Sequence, residues 1–406
     1  MSVLAKRRGD GYNAPMDYDV IIIGAGAAGL MAAGVAGQRG RKVLILDHGE
    51  KAGAKILISG GGRCNFTNRN IAPDRYLSAN PHFAKSALKR YGQNDFIALV
   101  RRYGIAFHER DLGQLFCEQS SALILNMLLD ECGAGGVDFR LEVKVGTVTG
   151  SGPYSVPTSA GTFTAGSVIV ATGGLSIPKL GATGYAHTIA REYGLGVTEI
   201  WPALVPLTFT ANDLDFMRAL TGIAVDGVVT CGKAKFREAV LFTHRGLSGP
   251  GILQISSYWR PGQDIVVDLA PDTNVAAYLI ERKDLRPKAE AKTVLAEILP
   301  ARLADSLCER AAIGKRPMAE LGKKALDSLG RMVNAWTLRP AGSEGWRTAE
   351  VTLGGIDTTA LSSQTMEAQA FPGLFFVGEA VDVTGWLGGY NFQWAWSSGW
   401  VAGTHA

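Results

Sequence analysis

The chain has 406 residues, 47% hydrophobic and 19% charged, so it can bury a full core in two or three domains and is not a disordered protein. Its five cysteines are odd in number, scattered and without a CxxC pair, which argues against a disulfide framework or a zinc site and for a reducing compartment. The net charge of +4 is mild, and no stretch reaches membrane-spanning length, so a cytoplasmic protein with no metal and no membrane partner is expected.

Residues 1 to 18 carry basic residues with no apolar run behind them and are expected to be a disordered tail, not a signal peptide. Asp19-Val-Ile-Ile-Ile23 is a short apolar run ending in glycine, as in a buried parallel strand. A helix from about Ala27 to Gly37 and a strand over 42–47 follow, completing a βαβ unit. Ser167–Ala171 and Gly373–Val377 read as two more buried strands, and a helix from about Asn391 to Ala402 closes the chain. The middle has another texture. Residues 203 to 270 alternate β-like runs with glycine turns, whereas 274 to 336 are rich in Ala, Leu, Glu and Lys, with helical spacing broken by Pro287, Pro300 and Pro317. The expected fold class is α/β: a Rossmann-like dinucleotide-binding domain split over 19–200 and 354–406, a β-rich insert over 201–272 and 337–353, and a helical insert over 273–336.

Gly24-Ala-Gly26-Ala27-Ala28-Gly29 follows the first strand and opens the first helix. In such a turn the first glycine makes the bend, the second lets backbone approach a pyrophosphate, and the third lets helix and strand pack closely. The free N–H groups of the helix then face the phosphates. Asp47 ends the second strand 23 residues after Gly24, where a carboxylate can accept from ribose hydroxyls. This motif alone does not separate FAD from NAD. Two later segments favour FAD: Ala171-Thr172-Gly173 and Gly378-Glu379 each end a buried strand. In flavoproteins with this double signature, the first passes near the cofactor and the acid binds the ribityl chain. Gly388-Gly389-Tyr390-Asn391 precedes the last helix, whose N-terminal dipole would stabilise the anion of a reduced flavin. A further loop runs Ser59 to Asn68, with Lys55 just before it, where Ser59-Gly-Gly-Gly62-Arg63-Cys64-Asn65 suggests backbone crossing a cofactor. No second GxGxxG precedes a helix, so a nicotinamide reductant must dock transiently.

Across these stretches the sequence resembles the BaiN/RdsA flavoproteins, and within them the YhiN-like branch. IIIGAGAAGL, KILISGGGRCNFTN, IVATGGLSIPKLGATGYAHTIA, LFTHRGLSGPGILQISSYW and GLFFVGEAVDVTGWLGGYNFQWAWSSGW carry the likeness, which runs from about residue 18 to 403. It departs at Tyr185-Ala186, where relatives are richer in glycine, and is weakest in the helical insert. The resemblance implies a split FAD domain interrupted by a β-barrel-like insert and a helical insert. It also implies hydride transfer from reduced flavin to a conjugated C=C, with NADPH or NADH as reductant. One branch makes dihydrouridine in ribosomal RNA and another reduces bile-acid-like steroids; this sequence looks closest to the former. Its expected partner is then large-subunit (23S) ribosomal RNA, protein-free or in early assembly. A small-molecule ene-reductase and a non-catalytic flavin redox sensor are the alternatives.

Such a reduction needs a proton donor. Cys64, Cys117 and His244 are the candidates, with Cys64 and His244 ranked together. Arg63 beside Cys64 would favour its thiolate, and Cys117 suits a buried structural role. Residues 281 to 347 hold 14 Lys and Arg against 9 Asp and Glu, which reads either as a solvated helical face or as a surface for a polyanion.

Overall fold

The computed structural model describes residues 16–406, so most of the expected tail lies outside the described residues. Its last residues are not tail. Strand β1 (Tyr18–Ile23) begins at Tyr18, whose hydroxyl donates to Asp138, and the Asp17 carboxylate accepts from the Thr164 backbone. The chain continues through α1 (Ala27–Gln38), β2 (Val43–Leu46), α2 (Ala54–Gly62) and β3 (Gly161–Val170). It leaves this lobe through β4 (Trp201–Ala203) and returns through β5 (Val351–Leu353). Then β6 (Leu374–Phe376) and α3 (Tyr390–His405) complete the lobe.

Strands β2, β1, β3 and β6 lie side by side and parallel, with Ile23 between Leu46 and Val170, and Val170 beside Phe376. Every residue of β2 and β6 is buried, the pattern of parallel strands covered on both faces. Strand β3 changes partner along its length. Gly161–Ala165 pairs antiparallel with Tyr154–Thr158, while Val168–Val170 sits parallel to β6. Because the parallel strands share a direction, their carboxyl ends at Gly24, Asp47, Ala171 and Val377 open on one edge, which is where open α/β sheets bind ligands.

Helix α1 is buried on most of its surface because it lies between the sheet and α3. The crossing is close: a Cβ at Gly399 or Gly403 would come within 2.4 Å of the carbonyl oxygen of Ala28 or Ala32. Those glycines let two helices touch backbone to backbone.

Between β4 and β5 the chain builds a second core. Its seven-stranded sheet runs in the order Trp336–Leu338, Ile265–Asp268, Ala224–Cys231, Ala234–Thr243, Gly246–Ser248, Leu207–Thr208 and Gly342–Ser343. Laid flat, its edge strands would be about 29 Å apart at ~4.8 Å per strand. Yet residues 339–341 alone connect them, a span of at most roughly 14 Å, so the sheet must curl. Helices Val275–Leu285, Ala291–Leu295, Ala301–Arg310 and Lys323–Asn334 cover it. Leu279, Leu303 and Leu329 share one buried cluster with Val229, Phe242 and Ile265. The β-rich and helical inserts, expected as separate domains, thus share one core, because helices with a single apolar stripe need a partner to bury it. No helix of the described residues is long and apolar enough to cross a membrane.

Replacing Gly399 with alanine drives a methyl into the Ala28 carbonyl. It should lower unfolding stability by about 1–3 kcal/mol, the usual cost of overpacking, as measured by denaturant unfolding of the FAD-loaded protein. Alanine at Gly133, where a Cβ meets nothing within 4 Å, should leave stability nearly unchanged.

Candidate active site

The carboxyl ends of the parallel strands open into a cavity of about 1290 Å³, larger than the ~300–1,000 Å³ of ordinary ligand pockets. The first lobe supplies most of the lining. Leu204, Pro250 and Glu350 reach it from the second lobe and the junction between lobes.

At the first glycine turn the Gly24 N–H donates to the Leu46 carbonyl at 2.8 Å, and a Cβ at Gly29 would lie 1.9 Å from the Gly24 carbonyl oxygen. Gly29 therefore seats helix on turn and does not line the cavity. Gly26 differs. A Cβ there would meet no protein atom within 4 Å, and Gly26, Ala27 and Ala28 all face the cavity. No side chain caps α1, so its first N–H groups are open to a ligand. Asp47 lines the cavity and also braces the turn, accepting from the Ala25 N–H at 2.6 Å and the Gly49 N–H at 2.7 Å.

After β3, Ala171, Thr172 and Gly173 line the cavity, and the Thr172 hydroxyl is buried without a protein partner. After β6 come Gly378 and Glu379. The Glu379 Oε1 accepts from the Ser176 hydroxyl at 2.7 Å and from the Thr352 N–H and hydroxyl at 3.0 and 2.9 Å, while Oε2 accepts from the Lys55 ammonium at 2.9 Å. Burial alone would raise this carboxyl, but Lys55 and the hydrogen bonds outweigh it and hold the group below its usual value. Lys55 is spent on Glu379 and on Ser176, 2.7 Å away. Both residues border the cavity, but they bind each other.

The glycine loop turns out to be the end of α2, broken where Gly60 and Gly61 adopt left-handed conformations, φ 56° and 65°. A Cβ at Gly60 would lie 2.9 Å from the Asn65 nitrogen. Ile58, Ser59, Gly60, Gly61 and Asn65 line the cavity. Gly62 and Arg63, expected to do so, do not, because their carbonyls are drawn the other way by the Ser121 and Cys117 N–H groups. At the start of α3, Gly388 and Gly389 have φ 102° and 94°, and a Cβ at Gly389 would strike the Thr67 backbone at 2.5 Å. Close approach of protein backbone already demands glycine here. Gly388, Gly389 and Asn391 line the cavity; Tyr390 does not, since its hydroxyl donates to the Asn70 carbonyl and accepts from Arg75.

Neither expected proton donor lies in the cavity. Cys64 is fully buried, and burial pushes its thiol up to about 12, so the thiolate that Arg63 was expected to favour does not form. Cys117 is likewise buried and raised to about 11. His244 sits exposed on the turn between Ala234–Thr243 and Gly246–Ser248, away from the cavity. Asp47, Glu50 and Glu379 line it, and so does Glu350, between Ala349 and Val351, which was not among the expected donors. The Glu350 side chain is exposed to the cavity, and the protein packed around it pushes its carboxyl up to about 7.

The open helix end at α1, the clear space over Gly26 and the orphaned Thr172 hydroxyl together fit an extended dinucleotide. Residues 18–405 match the HI0933-like protein Rossmann domain family. The chain belongs to this HI0933-like family. It is 50% identical to the ribosomal RNA dihydrouridine synthase of Escherichia coli (strain K12) over 389 residues, covering 95% of this chain and 96% of that one. The enzyme of the same name from Haemophilus influenzae is 46% identical, over 93% of this chain and 96% of its own. The 3-dehydro-bile acid delta(4,6)-reductase of Clostridium scindens is 31% identical, over 95% and 98%. This HI0933-like chain is thus an enzyme, an FAD-dependent oxidoreductase. The α1 turn and N–H groups, Asp47, Thr172 and the start of α3 are the parts of it that would hold the cofactor.

Two glycines three residues apart should respond oppositely. Gly26→Val has room in the fold and should give a folded, colourless protein, because the side chain fills the space of the ligand. Gly29→Val collides with Gly24 and should impair folding itself. Circular dichroism and the FAD released on denaturation separate the two; recovery of FMN from the unaltered protein would contradict the dinucleotide assignment.

Proposed function

We propose that the protein reduces a uridine of 23S ribosomal RNA to dihydrouridine, using NADPH or NADH, and that it does so in the cytoplasm on protein-free or partly assembled RNA. The observation that carries this reading is the end-to-end likeness, at half of all positions, to an enzyme named for that reaction. The likeness to the bile-acid reductase covers as much chain at far lower identity. Bound FAD, once reduced, supplies the hydride. The protein's part is to orient the acceptor, exclude water and supply a proton. A base stacked in a helix cannot enter a cavity between two lobes, so the uridine must be single-stranded or flipped out, at a cost of a few kcal/mol.

The basic segment supports an RNA partner once its paired charges are set aside. Arg286 pairs with Glu297, Lys292 with Asp305, Arg310 with Asp213 and Arg339 with Asp264. Lys315, Lys323 and Lys324 are exposed and, among the described residues, have no ion-pair partner. Arg316, also exposed, spends part of its guanidinium on the Ile313 and Ala312 carbonyls.

Reduced protein mixed with a 23S transcript in a single turnover should yield dihydrouridine by nucleoside mass analysis, and faster than with mature ribosomes. No dihydrouridine, with rapid reduction of a steroid enone, would shift the reading to a small-molecule reductase. Reversing Lys315, Arg316, Lys323 and Lys324 to glutamate should weaken RNA binding and flatten its salt dependence by roughly 0.7 in log–log slope per lost phosphate contact. The flavin spectrum should not change. Salt-insensitive binding would exclude this surface as the RNA site.

A further inference from the structure

Reduction of a C=C places a hydride on one carbon and a proton on its neighbour, so a donor must stand in the cavity with the substrate. Glu350 stands there. It immediately precedes β5, and its N–H is fixed to the Leu204 carbonyl at 3.2 Å. Leu204, Pro250 and Leu387 supply apolar lining to the same cavity. Among the described residues no side chain donates to its carboxylate and no cation pairs with it.

We infer that Glu350 is the proton donor to the carbon adjacent to the one that receives hydride. The inference rests on the uridine reading for the name of the substrate, though not for the geometry. For uracil the hydride arrives at C6, the Glu350 O–H breaks as a C–H bond forms at C5, and the C5–C6 π bond is lost. The carboxylate left behind is reprotonated from water, and the oxidised cofactor is reduced again by NADPH or NADH.

The electrostatic surroundings agree with this role. No neighbouring charge contributes to the shift of the Glu350 carboxyl, and Arg260, over the Trp201 ring of β4, is engaged by the Ser257 and Trp259 carbonyls. Although the side chain is exposed to the cavity, the protein packed around it shifts the Glu350 carboxyl up to about 7, so part of it keeps its proton at neutral pH. A donor of that kind is matched to its working pH. The rate it supports falls as pH rises through that value, because only the protonated form can act.

The test is Glu350→Gln in the FAD-loaded protein, by stopped-flow and nucleoside analysis. Flavin colour and reduction by NADPH should persist. Oxidation of the reduced protein by the RNA transcript should slow about 10²–10⁴-fold, as for a lost general acid, and the alkaline fall in rate near pH 7 should vanish. Glu350→Asp should restore part of the rate and the pH dependence. Independently of turnover, infrared difference spectra should show a carboxyl band that disappears with a midpoint near 7 and is missing from Glu350→Gln. An unchanged rate and pH dependence in Glu350→Gln would overturn the inference. If the unaltered protein makes no dihydrouridine, the uridine reading falls instead. The same comparison is then made with a steroid enone, where an unaffected Glu350→Gln overturns the donor role.

Discussion

The partly buried carboxylate of Glu379 is the tie on which the site's geometry depends. Its oxygens gather Lys55 from the start of α2, Ser176 from the loop after β3 and Thr352 from β5. Without those partners a carboxylate in that position would be costly. The tie therefore works as a gauge: it sets the start of α2, the turn after β3 and the junction strand at fixed distances from the turn after β6. The carboxyl is held below its usual value of 4.5, so its ionisation stabilises the fold above that pH. That contribution is lost as pH falls through the depressed folded value.

The cavity's location follows from strand direction. Four parallel strands end on one edge, and each delivers a different element there: a glycine turn, an aspartate, a threonine turn and a glutamate. The helix ends α1 and α3 arrive beside them without side-chain caps, and uncapped N–H groups are what an anionic ligand can use. The same packing that brings α1 and α3 together, glycine against carbonyl, sets the angle at which their N-termini enter the cavity.

The βαβ unit, the two later strands and the closing helix were legible in the sequence because their signals are local: apolar runs, a glycine spacing, an acid at a strand end. The site was legible where backbone itself lines the cavity, as at Gly26 and Thr172. It was not legible where a distant partner decides which way a group points. Tyr390 turns away because of Arg75 and Asn70, more than 300 residues along the chain, and Lys55, though it borders the cavity, is claimed by the equally distant Glu379. Gly62 and Arg63 are turned by Ser121 and Cys117. Glu350 was not among the expected donors, and only the meeting of the lobes gives it a cavity to face. The merging of the two inserts was hidden for a similar reason, since composition changes at residue 274 while the core does not.

The second lobe enters and leaves through β4 and β5, where Ala203 pairs directly with Val351. Paired residues in an antiparallel ladder have Cα atoms about 5 Å apart, so the lobe is a loop whose ends already meet. Such a loop imposes no span on its host. Its interior can be enlarged, trimmed or exchanged over evolutionary time while the flavin lobe keeps its course, and each exchange would hang a new roof over the same hydride chemistry.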